Sequence, residues 1–286
     1  MSEFEQIHFL DPPPEFRERA RSRFQIIPVP FEATVSYGAG TSRGPRAILA
    51  ASHQVEYFNG TTEPMRRGIF THPLPPDIPN DPADMIAQVH GRVAQTLAAG
   101  AVPVLLGGEH TISVGAFQAL AEAAREPFGI VQFDAHADLR DRYEGTPYSH
   151  ACVMRRATDM QIPVAQFGVR SLCREEADLR EQLGIAHCDA VLLHDAGPPR
   201  PALPDKFPAH IYITFDVDCL DSSIMPATGT PEPGGLSWYD ALRLLQAVTE
   251  GREVVGFDLV ELAPMIGFHA CDYLAAKLVY SIMGFV

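Results

Sequence analysis

Short runs of apolar, β-prone residues recur along the chain. Each run is too short and too continuously apolar for a surface helix, so it predicts a strand buried on both faces. Helical stretches separate several of these runs, and this alternation predicts an α/β fold with a mostly parallel sheet covered on both faces. The predicted strands lie at 24–30, 101–106, 129–133, 164–169, 190–193, 211–215 and 254–259.

The clearest helix begins after Asp81, which is a suitable N-cap, and has Pro82 in its first turn. Gly100 is a suitable C-terminal stop. Apolar residues at helical spacing give this segment one apolar face, at Met85, Ile86, Val89, Val93 and Leu97. Further helices are predicted at 45–51, 114–124, 174–183, 238–249 and 272–283.

Proline-rich segments predict irregular structure in the first twenty residues and at 71–82. The proline-rich segment 198–208 is too short to mark a domain boundary. Since no other linker divides the chain, residues 1–286 are predicted to form a single domain.

The composition is that of a soluble globular protein, with 46% hydrophobic and 20% charged residues. No apolar run has the length of a membrane span, and the acidic N-terminus does not have the pattern of a secretory signal. We therefore expect a cytoplasmic protein. The net charge of −14 disfavours nucleic acid as a partner and is compatible with a small cationic substrate.

Five cysteines are scattered without paired spacing, which indicates reduced thiols. Cys152 and Cys219 each lie close in sequence to candidate site residues. Either could be a catalytic thiol, but small buried packing residues are the favoured interpretation.

Polar side chains able to bind a metal follow four of the predicted strands. Because ligand sites in open α/β sheets form beyond the carboxyl ends of the strands, we expect these side chains to share one crevice. A simpler interpretation is a set of unrelated Asp-containing turns, one of them with a chance histidine. The position of all four at strand ends favours a shared site. The residues are His110, Asp134, His136, Asp138, Asp216, Asp218 and Glu261.

Four aspartates and two histidines are too many ligands for one ordinary catalytic ion. They suit two ions, about 3.5–4 Å apart, that share carboxylates. Oxygen and imidazole donors without thiolate favour Mn(II) over structural zinc. Such a pair can lower the pKa of a bridging water enough to supply hydroxide near neutral pH. A two-metal phosphoesterase would use a similar centre, but the acidic balance of the chain disfavours it.

Five segments resemble the signature segments of the ureohydrolase family, which includes arginases and agmatinases. They are VSYGAGTSRGPRAI at 35–48, GGEHTIS at 107–113, FDAHADLR at 133–140, FDVDCLDSSIMPATGTPEPGG at 215–235 and GFDLVELAP at 256–264. The resemblance implies a three-layer α/β/α arginase-type fold with a mostly parallel eight-stranded sheet. It also implies two Mn(II) ions per chain and a homo-oligomer, either a trimer or a hexamer.

The resemblance implies a role for each metal-capable residue. His110 and Asp138 would each bind one ion, and His136 and Asp218 would bind the other. Two aspartates would bridge both ions, namely Asp134 and Asp216.

Three further positions match the family. His150 falls where the family has a proton-shuttling histidine, and Glu261 falls where a carboxylate holds the guanidinium of the substrate. Thr230 matches a loop on the substrate side. The structural alternatives are a loop histidine without a role and a strand-end glutamate in an ordinary ion pair.

The segment 139–149 helps to predict which guanidine is the substrate. It lacks the Asn with which arginases grip the amino-acid end, and its one Ser is adjacent to His150. It resembles the agmatinase branch, so the predicted function is a manganese-dependent agmatinase that hydrolyses agmatine to putrescine and urea in polyamine biosynthesis. Asp141 and Glu144 would tolerate an amine and repel a carboxylate if they faced the cleft, but they are equally expected as solvated loop charges.

Two alternatives remain open. One is a ureohydrolase that acts on another guanidine, such as N1-aminopropylagmatine, a guanidino acid or arginine. The other is a catalytically inactive ureohydrolase-like protein, which is disfavoured because the chain keeps every implied ligand.

Overall fold

The apolar runs form one parallel sheet in a computed structural model that describes residues 6–286. Its strands are β1 (Phe24–Val29), β2 (Ile69–Thr71), β3 (Val102–Gly107), β4 (Phe128–Phe133), β5 (Val164–Phe167), β6 (Ala186–Cys188), β7 (His210–Asp216) and β8 (Glu253–Val260). The eight strands lie side by side in the order β2-β1-β3-β8-β7-β4-β5-β6, and every pairing is parallel.

Helices cover both faces of the sheet and give the three-layer α/β/α fold that the sequence predicts. They are α1 (Gly44–Ser52), α2 (Pro82–Ala98), α3 (Ser113–Ala123), α4 (Val153–Asp159), α5 (Arg174–Leu183), α6 (Ala190–Ala196), α7 (Trp238–Thr249) and α8 (Ala270–Met283). Buried residues of α1, α7 and α8 form the core on one face, and those of α2, α3 and α4 form the core on the other. None of the helices among residues 6–286 combines the length and the apolarity needed to cross a membrane.

The predicted strand at 190–193 is wrong, because these residues belong to helix α6. Val191 and Leu192 are 65% and 53% exposed, whereas Ala190 and Leu193 are buried. Burial three residues apart is the pattern of a helix, but so short an apolar run does not distinguish a buried strand from a helix. The strand in this region is β6, which ends at Cys188, before helix α6 begins. The three-residue edge strand β2 was not predicted, because its only signal in the sequence is its own apolar residues.

Four central strands bring the candidate site together. β3, β8, β7 and β4 are consecutive neighbours in the sheet. Their last residues are in register, since Leu106 lies opposite Leu259, Leu259 opposite Phe215, and Phe215 opposite Phe133. The loops that follow these strands therefore start at the same level of one sheet edge. The expected convergence is a consequence of this strand order.

Candidate metal centre

Two loops of the centre start in the same way. The first aspartate of each loop accepts a hydrogen bond from the backbone N–H of the residue two positions later in the chain. Asp134 Oδ1 accepts from the His136 N–H at 2.6 Å, and Asp216 Oδ1 accepts from the Asp218 N–H at 2.9 Å. The loops are also joined, because the Ala135 N–H donates to Asp218 Oδ1 at 3.0 Å. The backbone thus holds both loops in fixed positions relative to each other, and one oxygen of each aspartate remains directed into the centre.

Three carboxylates surround one ring nitrogen of His110. Its Nδ1 lies 3.0 Å from Asp138 Oδ2, 3.2 Å from Asp134 Oδ2 and 3.6 Å from Asp216 Oδ2. Ligand atoms about 2.1 Å from one ion are about 3.0 to 3.4 Å apart at octahedral or tetrahedral angles. The Asp138 and Asp134 distances lie in this range, and the ligand atoms of His110, Asp134 and Asp216 are close enough to one another to hold a cation.

A second group forms around His136. Its Nδ1 lies 3.0 Å from Asp218 Oδ2 and 3.5 Å from Asp134 Oδ1. Asp134 belongs to both groups of close ligand atoms, as expected of a bridging carboxylate, whereas Asp216 is grouped with His110 only. The structure thus brings all six predicted ligands into one cluster. Five of them form two groups that share Asp134, and Asp138 adjoins the first group through His110.

Local chemistry also fits cations at this cluster. Within the described residues, the buried His110 Nδ1 has no hydrogen bond of acceptable geometry. Burial raises the pKa of Asp138 to about 7, with the Asp134 charge adding to the effect. Burial and the neighbouring carboxylates raise the pKa of Asp216 well above its usual range. Bound cations would reverse these shifts, because they favour the ionised form of every carboxylate around them.

A buried hydrogen-bond chain fixes the orientation of His110. Its Nε2 lies 2.8 Å from Thr214 Oγ1, which donates its only proton to Asp258 Oδ1 at 2.7 Å. Thr214 therefore accepts from His110, so the proton is on Nε2 and the lone pair of Nδ1 faces the carboxylates. Tyr212 donates to the second Asp258 oxygen at 2.9 Å. Partners of this kind set the tautomer and the basicity of a metal ligand.

Two buried glutamines support the loop that follows β4. Gln132 Nε2 donates to Asp134 Oδ2 at 2.9 Å, and Gln166 Nε2 donates to Gln132 Oε1 at 2.6 Å. Gln166 also holds the carbonyl of Ala137 at 2.7 Å. These contacts fix the Asp134 carboxylate and the loop backbone from below the cluster.

His150 lies beside the cluster and is oriented by residues distant in sequence. Its Nδ1 is 3.2 Å from Thr34 Oγ1, and Thr34 Oγ1 donates to Glu109 Oε1 at 2.8 Å. Because the threonine proton is used by Glu109, Thr34 accepts from Nδ1–H and the lone pair is on Nε2. Burial, together with His110 and His136, lowers the pKa of His150 to about 4. The ring is thus neutral near pH 7 and can accept a proton at Nε2.

Glu261 lines the cavity beside the cluster and is not in an ordinary ion pair with any residue of the described range 6–286. Its Oε1 accepts from the His110 N–H at 2.6 Å, which leaves Oε2 for another partner. Burial and the nearby Glu109 raise the pKa of Glu261 well above its usual range. A bound cation that pairs with this carboxylate would offset that shift.

A cavity reaches from the cluster to the surface in two connected parts. We call the deeper part the inner cavity and the other the outer cavity. The inner cavity has about 360 Å³ of empty space, including space open to solvent, and is lined by His110, Asp216, Asp218 and Glu261. The outer cavity encloses about 850 Å³, including space open to solvent. Residues that line both parts are Ser36, His136, Asp138, His150 and Thr230.

Thr230 thus lies at the junction of the two cavities, on the loop predicted to face the substrate. This loop packs against the glycine-rich segment near the N-terminus, where the Gly38 N–H donates to the Gly229 carbonyl at 3.2 Å. A Cβ at Gly38 would lie 2.8 Å from that oxygen, so only glycine permits the approach. The two loops form one wall of the inner cavity.

Asp141 and Glu144 do not face the cleft. The Asp141 carboxylate is 62% exposed and lies 2.8 Å from Arg156 and 3.6 Å from Arg155 of α4. Neither acidic residue lines either cavity. Apart from Asp138 of the cluster, the charged residues that line the outer cavity are Arg140, Glu176 and Glu232, which no sequence pattern indicated.

The cysteines near the centre have the properties of packing residues. Cys152 and Cys219 are fully buried and line neither cavity. Burial raises the pKa of Cys152 to about 11 and that of Cys219 further above its usual value. Both thiols are therefore protonated at neutral pH and poorly nucleophilic.

Comparison with known proteins identifies the family. A sequence model of the arginase family matches residues 22–284. The N(1)-aminopropylagmatine ureohydrolase of Synechocystis sp. is 38% identical over 269 residues, covering 91% of this chain and 88% of that protein. The agmatinase of Pyrococcus horikoshii is 35% identical over 265 residues, covering 91% and 90%.

A solved structure agrees with these sequence relatives. The agmatine ureohydrolase of Thermoplasma volcanium superimposes with a TM-score of 0.87 at 28% identity, covering 99% of this chain and 95% of that chain. The chain therefore belongs to the arginase family, and it is a hydrolase of the ureohydrolase type. The resemblance stated from the five sequence segments is confirmed.

Proposed function

We propose that this protein is a binuclear Mn(II)-dependent ureohydrolase that acts on N1-aminopropylagmatine in preference to agmatine. The sequence alone favoured agmatine and left N1-aminopropylagmatine as an alternative. The Synechocystis relative that carries the longer substrate in its name supports the alternative, being slightly more similar to this chain than the Pyrococcus agmatinase. Agmatine remains the second candidate.

The observation that carries this proposal is the continuation of the cavity beyond the cluster. The inner cavity holds the cluster and Glu261, so it suits the guanidinium end of a substrate. The outer cavity is the larger part, and the substrate chain would enter it past Thr230 and His150. Agmatine ends in an ammonium four carbons from the guanidinium, whereas the aminopropyl arm adds three carbons and a second amine that the outer cavity has room for.

Different residues of the inner cavity have different roles in the proposed reaction. Two Mn(II) ions held by the six ligands would supply hydroxide near neutral pH by lowering the pKa of a shared water. Glu261 Oε2 accepts hydrogen bonds from the guanidinium and holds its carbon towards the cluster. The bond between the guanidinium carbon and the nitrogen that carries the alkyl chain breaks, urea forms, and the departing amine takes up a proton.

His150 supplies the path for that proton. Its neutral ring accepts a proton at Nε2 as the attacking water is deprotonated, and donates it to the leaving nitrogen. The Thr34 contact at Nδ1 holds the ring in the tautomer that this step requires. Thr34 itself is held by Glu109, which also accepts from the Ala33 and Thr34 N–H groups at 2.7 Å each.

Metal removal should abolish the activity. Protein treated with a chelator is expected to release no urea, and Mn(II) should restore turnover better than Zn(II) or Mg(II), because the donor set is oxygen and imidazole without thiolate. Metal analysis of the reactivated protein should give two ions per chain, matching the two groups that share Asp134. Full activity with a single ion per chain would contradict the binuclear proposal.

A substrate panel tests the proposed specificity. Urea release would be measured with N1-aminopropylagmatine, agmatine, arginine and 4-guanidinobutyrate at identical Mn(II) loading. We expect kcat/KM for either amine to exceed that for arginine by at least about a hundredfold, near 2.7 kcal/mol, because no residue of the 139–149 segment matches the arginase grip on the carboxylate. N1-aminopropylagmatine should exceed agmatine by about tenfold, near 1.4 kcal/mol.

The panel separates the candidates. A preference for agmatine would leave the chemistry intact and make agmatine the substrate. Comparable rates with arginine would contradict an amine substrate of either length, and no urea from any compound would favour the inactive ureohydrolase-like alternative.

A further inference from the structure

Besides Asp138 of the metal cluster, three charged side chains line the outer cavity, and two of them are already engaged. Glu176 accepts from the Leu139 N–H at 3.0 Å and from the Cys173 N–H at 2.8 Å, so its carboxylate serves to join two backbone segments. The Arg140 guanidinium lies 3.9 Å from Glu176 and 5.3 Å from the ring centre of Tyr143. Both groups have partners within the protein.

The third, Glu232, is different. In the described part of the chain its carboxylate has neither an ion pair nor a hydrogen bond, and only its backbone carbonyl is bonded, at 2.9 Å from Arg170 Nη2. The side chain is half-buried at the cavity wall, on a segment that places prolines at 231 and 233. A partly desolvated carboxylate without a partner is a site for a cation.

The backbone around Glu232 is rigidly held. The Arg170 guanidinium binds the carbonyls of Asp218, Glu232 and Pro233 at 2.6, 2.9 and 3.0 Å. On the other side of the turn, Asp221 Oδ2 accepts from the Gly234 N–H at 2.8 Å. Because Asp218 is one of the cluster residues, Arg170 fixes the position of Glu232 relative to the metal centre.

The position along the cavity defines what Glu232 can reach. Thr230 lines both parts of the cavity, but Glu232 lines only the outer part. Glu232 therefore lies on the outer side of the junction at Thr230. With a guanidinium held in the inner cavity, this carboxylate would face the part of the substrate that extends into the outer cavity.

We propose that Glu232 binds the terminal ammonium of the aminopropyl arm and is a specificity-determining residue. This inference rests on the proposed function, since it assigns a subsite to the same cavity. The backbone of Glu232 is held by two prolines and the Arg170 contacts, so binding requires only its side chain to be ordered. Agmatine lacks the aminopropyl arm and its terminal ammonium, so we expect its binding to be nearly independent of Glu232.

The test compares Glu232→Gln with wild-type protein on both amines at full Mn(II) loading. The replacement keeps the shape of the side chain and removes its charge. We expect KM for N1-aminopropylagmatine to rise about tenfold with kcat within about twofold, because the lost contact is made equally in the ground and transition states. KM and kcat for agmatine should both stay within about twofold, which also shows that the variant is folded and metal-loaded.

Glu144→Gln is the matched control. It removes the same charge from an exposed residue of the loop that contains Tyr143, but Glu144 lines neither cavity. We expect both amines to behave as with wild-type protein. An equal effect of Glu144→Gln and Glu232→Gln would mean that net charge alone is responsible, and would overturn the subsite.

The remaining outcomes separate the inference from the proposed function. If wild-type protein hydrolyses N1-aminopropylagmatine but Glu232→Gln changes neither amine, or changes both equally, the subsite is wrong and the function stands. If wild-type protein releases urea from neither amine, the proposed function is wrong, and the subsite fails with it.

Discussion

Replacing Asp134 by Asn is expected to lower urea release by about a thousandfold or more and to weaken metal retention. Asp134 is the residue shared by both ligand groups, with Oδ2 3.2 Å from His110 Nδ1 and Oδ1 3.5 Å from His136 Nδ1. Removing one partner of a buried charge pair costs about 3–5 kcal/mol. The loss should be larger than for any single residue outside the cluster, since it affects both ions at once.

The measurement is metal content per chain together with kcat, after removal of loosely bound ions. Asp141→Asn is the control, because it makes the same chemical change at an exposed aspartate that lines neither cavity. The control should keep both ions and normal turnover. An Asp134→Asn protein that kept two ions and near-normal kcat would show that Asp134 does not hold them.

His150→Asn is expected to lower kcat by about a hundredfold or more, the usual contribution of a positioned acid–base group. Asparagine keeps a polar side chain but cannot accept a proton at the position of Nε2. Burial, together with His110 and His136, lowers the pKa of the wild-type ring to about 4, so the ring is neutral at neutral pH and the variant loses no permanent charge. KM should change much less than kcat.

Metal content decides between a relay and a ligand. His150 Nδ1 contacts Thr34 Oγ1 rather than a carboxylate of the cluster, so His150→Asn protein should retain two ions per chain. Loss of ions from this variant would place His150 among the ligands and remove the relay role. Thr34→Val is a companion variant that keeps His150 and removes the Oγ1 contact at 3.2 Å. It should show a smaller loss of kcat in the same direction.

The sequence by itself determined the type of fold and the chemical character of the centre. Strands buried on both faces of a parallel sheet require continuous apolar runs, and polar side chains at their carboxyl ends are visible because they interrupt those runs. The six metal-capable residues belong to this pattern, so their position at the carboxyl ends of strands followed from the sequence. Their convergence on one crevice depended on the order of the strands in the sheet. The strand predicted at 190–193 was wrong, because a run of four apolar residues is compatible with a helix as well as with a strand.

Only the tertiary structure decided which loop charges face the substrate. Asp141 and Glu144 lie in the segment expected to read the substrate, but Asp141 is paired with α4 and neither residue lines the cavity. Glu232 lies in a different loop and faces the outer cavity because Arg170 holds its backbone. No local pattern specifies such directions, since they depend on how loops pack against partners far along the chain.

The supporting partners of the centre depended on the tertiary structure for the same reason. Thr34 contacts His150 across 116 residues, and Thr214 contacts His110 across 104 residues. No feature of the sequence around a threonine indicates that its hydroxyl will orient an imidazole. The ligands are fixed by residue type at strand ends, whereas their tautomers and orientations are fixed by contacts that only the packing of the whole sheet creates.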